Sequence, residues 1–468
     1  MKGKVLDLDE VIDGQTLGRG SFAFFAVAML TLISDGFDLA AMGYIAPELV
    51  KQWGIAPARL VPAFSAAIIG MMLGGPLLGM FGDRLGRKRV IVAGLVVIGV
   101  STLVTMATRG IADLVVLRFI TGLGLGGVIP NVVALVAEIV PRRLRGRLIV
   151  IVSMGIVLGI AIPGLTAALL VPRFGWRVLL LVGGVLPLLV ALASLVYVPE
   201  SIRYMMERGD RADEVRRLAR QLRPDLRIDD DTAFARAAAA PKIVRGSIKP
   251  LFAGDLLLVT PLLWLCQAAN QMANFFSLTW LPTLLQASGA STASASASAS
   301  LFSIGGLLSG VVLLFIIDRM GVVPLVALFL AGAPLVAMMA MSDLSPAAHA
   351  AVIAGAGLCV TGVQLGITAL LGIFYPTPIR SLGTGWTQAA GRLGALAAPV
   401  VGGILLDMKL PIQALPLAPA LLLAIGFIAC SVLTFLCIRR FRGWRPGEFT
   451  GVSVARDPAP AHLGEVGA

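Results

Sequence analysis

Charge is scarce in this chain. Only 14% of its 468 residues are Asp, Glu, Lys or Arg, against roughly 25% in soluble globular domains, and a mean hydropathy of +0.91 excludes a soluble globule. Histidine is scarcer still: His349 lies near the start of an apolar run and His462 in the tail, which leaves no metal-ligand cluster. The four cysteines, Cys266, Cys359, Cys430 and Cys437, all fall inside apolar runs. The last two are seven apart, about 10 Å along a helix, too far for a disulfide. There is no P-loop and no nucleophile motif, so no enzyme is expected. The first 20 residues hold Asp7, Asp9, Glu10 and Asp13, and the run that follows is too long for the h-region of a cleavable signal; the first span is expected to stay in the membrane.

What the chain has in abundance is apolar runs long enough to cross a hydrocarbon core, roughly 20 residues each. About twelve such spans are expected, beginning near Phe22, Leu60, Val90, Leu114, Leu148 and Val178, then near Leu256, Leu301, Pro324, Ala350, Thr384 and Leu417. Basic residues gather in alternate loops: "DRLGRKR" (Asp83 to Arg89), "PRRLRGR" (Pro141 to Arg147), the loop after Pro199, and "RRFRGWR" (Arg439 to Arg445). Because Lys and Arg mark cytoplasmic loops, both termini are expected in the cytoplasm. The net charge of +12 is then a topology signal rather than a nucleic-acid surface.

The expected organisation is a cytoplasmic segment 1–20, a six-helix bundle 21–198, a cytoplasmic loop 199–253, a second six-helix bundle 254–438 and a tail 439–468. Asp83-Arg84-x-Gly86 recurs as Asp318-Arg319-x-Gly321, and Pro141 with Arg145 recurs as Pro376 with Arg380, all at an offset of 235 residues. Two loop motifs at one offset predict two homologous halves with a site between them near the midplane. The repeat maps Asp35 onto Asn270. The fold class is therefore an all-α integral membrane protein of twelve transmembrane helices in two pseudo-symmetric bundles.

Within the first span, "SDGFDLA" (Ser34 to Ala40) holds Asp35 and Asp38, i and i+3 on one helical face. A charge there costs roughly 2.5 to 3.5 kcal/mol on insertion scales, so two acids point to function; a structural ion pair is the alternative. The "STASASASAS" stretch, Ser291 to Ser300, precedes the eighth span, suits close helix approach and is assigned no chemistry.

"GMFGDRLGRK" (Gly79 to Lys88) resembles the second-to-third-helix loop motif of the major facilitator superfamily. "RFITGLGLGG" (Arg118 to Gly127) looks like its fourth-helix motif, and "PESIRYMMERG" (Pro199 to Gly209) like the motif closing its first half, with Ile202 where proline is commoner. The "DGFD" of the first helix is similar to the aromatic acid:proton symporter family, and Arg118, Glu138, Arg380 and Arg392 occupy positions where that family carries functional charges. One departure is "MGVVP" after Asp318-Arg319, without the His or further basic residue family members often have.

The resemblance implies uptake of an aromatic carboxylate, hydroxybenzoate- or phenylpropanoate-like, with protons and by alternating access. No cofactor is expected beyond the proton gradient. The implied partners are a small organic anion, protons and the bilayer of the inner membrane, with the monomer functional and no nucleic acid bound.

Asp35 is the expected proton carrier, with Asp38 coupling it to substrate; the resemblance implies that Arg118 pairs with an Asp in one state and releases it in another, the alternative being that it snorkels to the outer interface. Arg392, about ten residues into the eleventh span, suits a carboxylate through its planar guanidinium, the alternative being a helix terminus or another residue as its partner. Asn270, Asn274 and Gln364 suit ring substituents, and Trp386 and Phe275 suit stacking on a ring, although in membrane bundles such residues often serve packing alone. Asp83 is expected to cap or face a helix N-terminus of the other half. Arg84 and Arg87 are expected on acidic or carbonyl partners, with Glu138 joining them; together with Arg145, Asp318, Arg319 and Arg380 these form the expected gate.

The rivals are a proton-coupled transporter of another organic acid or of a sugar, an exporter of amphipathic drugs, and a non-transporting receptor. Fixed cations at Arg118 and Arg392 argue against a cationic drug. No folded sensory domain follows any span to serve a receptor.

Overall fold

Twelve long helices make up most of the described residues. The computed structural model describes residues 5–15, 18–208, 212–223, 226, 232–235, 248–341, 344–376, 379–408 and 410–441. The helices of the first half are α1 (Arg19–Trp53), α2 (Val61–Leu85), α3 (Arg87–Thr105), α4 (Ile111–Ile139), α5 (Arg142–Phe174) and α6 (Arg177–Tyr197). Those of the second are α7 (Leu256–Ala287), α8 (Thr292–Met320), α9 (Val323–Met338), α10 (Pro346–Phe374), α11 (Arg380–Asp407) and α12 (Leu417–Phe441). Among the described residues, eleven of these helices are long and apolar enough to cross a membrane. The exception, α9, has 16 residues, about 24 Å of helix, and packs between α10 and α12.

The repeat is visible in backbone geometry. Left-handed glycines end α1 and α7 at Gly54 and near Gly289, with φ of 61° and 101°, and recur between α2 and α3 at Gly86 and between α8 and α9 at Gly321, with φ of 102° and 57°. Each pair is separated by the 235-residue offset, and only glycine enters this region without steric cost. The packing repeats as well: α1 lies on α5, α2 on α4 and α3 on both α4 and α6, just as α7 lies on α11, α8 on α10 and α9 on both α10 and α12.

Two features depart from the expectations. The eighth helix begins at Thr292 rather than near Leu301, so the Ser/Ala stretch lies inside it. Its Ala295, Ser296, Ala299 and Ser300 are buried, and α8 packs on α5 of the first half, where Ser300 faces Gly164. Low hydropathy there reflects a helix surface that meets protein instead of lipid. The fold also carries one short parallel ladder, Val5–Asp7 with Ala233–Ala235, beside the helices Leu8–Asp13, Ile202–Arg208 and Ala212–Leu222. Ile12, Ile202, Met205, Val215 and Leu218 form its small core, and Gln15 Nε2 ties it to the end of α4 through the Ile139 carbonyl at 2.6 Å.

The two halves lean together at the end away from the termini. There Lys51 Nζ donates to Gln286 Oε1 at 2.9 Å, Thr292 Oγ1 donates to Glu48 Oε1 at 2.9 Å, and Phe64 packs on Trp280 with ring centroids 5.7 Å apart. At the end carrying the termini, a side chain on Gly79 of α2 or Gly385 of α11 would meet nothing within 4 Å. The contacts between Lys51, Glu48, Phe64 and the second half close the end away from the termini.

Candidate functional site

The "DGFD" turn is explained by its three neighbours. Gly36 lies against the Ile156 carbonyl and Gly159 of α5, so closely that a Cβ would collide with that backbone. Phe37, fully buried, fills the first half against Gly183 of α6. With the glycine on α5 and the phenylalanine in the core, the two acids fall on the remaining face of α1.

The acids have different surroundings. Asp38 accepts two hydrogen bonds from Arg118, Nη1 to Oδ2 at 3.1 Å and Nη2 to Oδ1 at 3.3 Å, and a third from Thr102 Oγ1 at 3.1 Å. Both side chains of this ion pair are 3% exposed, so Arg118 turns inward to a carboxylate instead of snorkelling. Asp35 is fully buried, and neither of its oxygens has a hydrogen-bond partner.

Beside the Asp38–Arg118 pair is a pocket of about 40 Å³, lined by Phe64, Ile68 and Met71 of α2 and by Phe275 and Thr279 of α7. Ligand pockets usually measure roughly 300 to 1,000 Å³. This pocket is the size of a water site.

Arg392 reaches across from α11. Its Nη1 lies 3.5 Å from Met71 Sδ on α2, and it makes no ion pair among the described residues. The second half supplies amides. Asn270 Nδ2 donates to Gln364 Oε1 at 3.4 Å and Gln267 Nε2 to Gln388 Oε1 at 2.9 Å, while Asn270 Oδ1 and Gln267 Oε1 are buried without a donor. Asn274, one turn further along α7, is half-buried. Trp386 is 42% exposed and stacks on Trp264, centroids 5.9 Å apart, away from the pocket lining; its ring is occupied by another ring.

At the end carrying the termini, Arg87 bridges Asp83 at 3.3 Å and Glu138 at 3.0 Å, and Glu138 Oε2 accepts from Ser201 Oγ at 2.5 Å. The Asp83 side chain is 68% exposed. Among the described residues its bonding partner is Arg87 of its own half, not a helix N-terminus of the other half as expected. The acid that meets a helix N-terminus here is Glu200, which accepts from the Lys88 backbone N–H at 3.0 Å. Arg84 is exposed and Arg145 half-buried, and Arg380 Nε donates to the Tyr375 carbonyl at 3.2 Å. The side chains of Asp318 and Arg319 lie outside the described residues.

Sequence reasoning missed Thr102, Gln267, Thr279, Gln388, Glu200 and Ser201. Gln267 carried a usable signal: with Asn270 and Asn274 it is spaced i, i+3, i+7, one stripe of a helix.

The Major Facilitator Superfamily profile matches residues 27–321 and 263–457. The 4-hydroxybenzoate transporter PcaK of Pseudomonas putida is 36% identical over 439 residues, covering 92% of this chain and 97% of that one. The gallate transporter of Pseudomonas putida is 32% identical over 409 residues, covering 86% and 90%. A D-xylose-proton symporter crystal structure superposes with a TM-score of 0.69 at 16% identity, covering 88% of this chain and 97% of the other, a likeness of fold. A membrane transporter and not an enzyme, the chain belongs to the Major Facilitator Superfamily and, within it, to the aromatic acid family.

Proposed function

We propose that the protein carries an aromatic carboxylate of the hydroxybenzoate class into the cell together with protons, exposing one central site alternately to the two sides of the inner membrane. The observation that carries this reading is the contrast between two acids one turn apart. Asp38 is held by Arg118 and Thr102, whereas Asp35 is buried with both oxygens unpartnered. A bare carboxylate so placed costs several kcal/mol, and a bound proton removes that cost. Asp35 is the proton carrier, and this conformation suits its loaded form.

Arg392, without an ion-pair partner among the described residues, is the anchor for the substrate carboxylate. While Asp35 holds its proton, no protein anion competes for that guanidinium. Once Asp35 is ionised it competes, which couples proton release to substrate release. The amides at Asn270, Gln364, Gln267 and Gln388, with Asn274 nearby, take ring hydroxyls, and Phe275 takes the ring face. The names of the relatives, transporters of 4-hydroxybenzoate and gallate, support a hydroxylated aromatic acid.

A benzoate-type acid is anionic at neutral pH, and moving its charge inward against the potential costs about 2.3 kcal/mol per 100 mV. One proton cancels that cost, and further protons let the potential drive accumulation. The gradient is the energy source, with no cofactor, and one chain is the working unit. The cluster of Asp83, Arg84, Arg87, Glu138 and Arg145, with Asp318, Arg319 and Arg380 as its counterparts, is the cytoplasmic gate.

The test is proton entry into proteoliposomes carrying a trapped pH dye, on adding aromatic acids, aliphatic diacids and sugars, with protein-free vesicles to exclude passive permeation. Saturable, protein-dependent acidification is expected with the aromatic acids only. Asp35→Asn is expected to lower proton-driven accumulation at least tenfold while keeping counterflow exchange; normal accumulation by the folded variant would remove Asp35 from the mechanism.

A further inference from the structure

Away from the central site, a cavity of about 630 Å³ opens where α3 begins, α6 ends and the helix Ala212–Leu222 approaches them. Three cations line it: Lys88 and Arg89 from the first turn of α3, and Arg217. Two acids line it as well. Glu200 is committed to the backbone N–H groups of Lys88 and Ser201, at 3.0 and 2.9 Å, and Glu214 has a partner of its own. Lys88 Nζ donates to the Leu195 carbonyl at 2.8 Å. Arg89 and Arg217 are exposed and have neither hydrogen bond nor ion pair among the described residues.

The remaining wall is apolar and runs on beyond the cavity. Val92 lines it, and Val96, Val100 and Val104 follow at successive turns of α3, 41%, 47% and 50% exposed. Across from them on α6, Leu195 lines the cavity and Leu192, one turn further along, is 62% exposed. A pair of free guanidinium groups at one end of an exposed apolar surface matches one kind of ligand. Guanidinium binds phosphate oxygens in a planar fork, and basic residues on the cytoplasmic side of membrane helices recognise anionic lipid head groups.

We propose that this cavity binds an anionic phospholipid, its phosphate between Arg89 and Arg217 and an acyl chain against the exposed apolar faces of α3 and α6. A soluble phosphate would use the cations and leave those faces unused. The site tethers the helix Ala212–Leu222 to the first bundle through the lipid, and it is independent of what the transporter carries.

Native mass spectrometry of the full-length protein in detergent tests this, titrating dioleoylphosphatidylglycerol against dioleoylphosphatidylcholine. The wild-type protein is expected to retain one phosphatidylglycerol in preference to phosphatidylcholine. The double variant Arg89→Gln with Arg217→Gln is expected to bind it at least tenfold more weakly, and Arg147→Gln, exposed at the same end on α5, to bind as wild type. If the double variant does not stay folded, the two single variants decide, each expected to weaken binding about threefold. Equal retention by wild type and variants, or no preference over phosphatidylcholine, would overturn the proposal. So would displacement by millimolar inorganic phosphate, which would make this a soluble-anion site.

Discussion

Arg118 and Asp38 form a buried ion pair inside an apolar bundle, and such a pair behaves asymmetrically under mutation. Removing one partner leaves an uncompensated charge and costs about 3 to 5 kcal/mol, whereas replacing both often costs little. Arg118→Gln alone is therefore expected to lower the thermal midpoint in detergent strongly. Combining it with Asp38→Asn is expected to restore most of the midpoint but not transport. A double variant as unstable as the single one would mean that Arg118 holds the fold through other contacts. The two acids were legible in the sequence because a carboxylate stands out in an apolar run. Thr102 was not, because threonine is ordinary in membrane helices and its role depends on the register of α3 against α1. Trp386 shows the converse, a residue noticed for its chemistry whose ring the fold sets against Trp264.

Helices meet here through glycine. Gly36 and Gly159 let α1 and α5 touch backbone to backbone, and Gly394 does the same for α11 on α7 at Ala268, 235 residues along from the contact between Gly159 and Ile33. A side chain at these points has only backbone to displace, which cannot retract. Gly159→Val is expected to abolish folded protein, measured as loss of the monodisperse peak in size-exclusion chromatography. Gly79→Ala, with open space around it, is expected to leave that peak unchanged. Helix count and the repeat were legible because hydropathy and loop motifs are local. The true start of α8 was hidden, since a Ser/Ala helix surface that packs on α5 has no need to be apolar and reads as a loop. The length of α9 falls under the same rule, because neighbours on both sides shorten what lipid must cover.

The two halves are joined at the end away from the termini, with a pocket beside Asp38 and Arg118 too small for an aromatic ring. Transport requires the closed end to part. Lys51→Cys with Gln286→Cys, joined by a short bis-maleimide, is expected to stop uptake completely, while either single variant transports after the same treatment. The four native cysteines are buried, which keeps background labelling low. Uptake that persists in the cross-linked protein would show that the gap between α1 and α7 does not need to widen.

Lys51 and Gln286 are separated by the repeat offset itself, as are Gly43 and Leu278, which also touch. A residue that meets its own counterpart lies on the two-fold axis, where a pair of identical subunits would make an isologous contact. Identical subunits would set lysine against lysine there, and an aspartate at position 35 of each would place two acids across the same axis. Joining the halves in one chain lifts that requirement. One side keeps its charge and the other takes an amide, Gln286 opposite Lys51 and Asn270 in place of Asp35, so a symmetric frame holds a polarised centre.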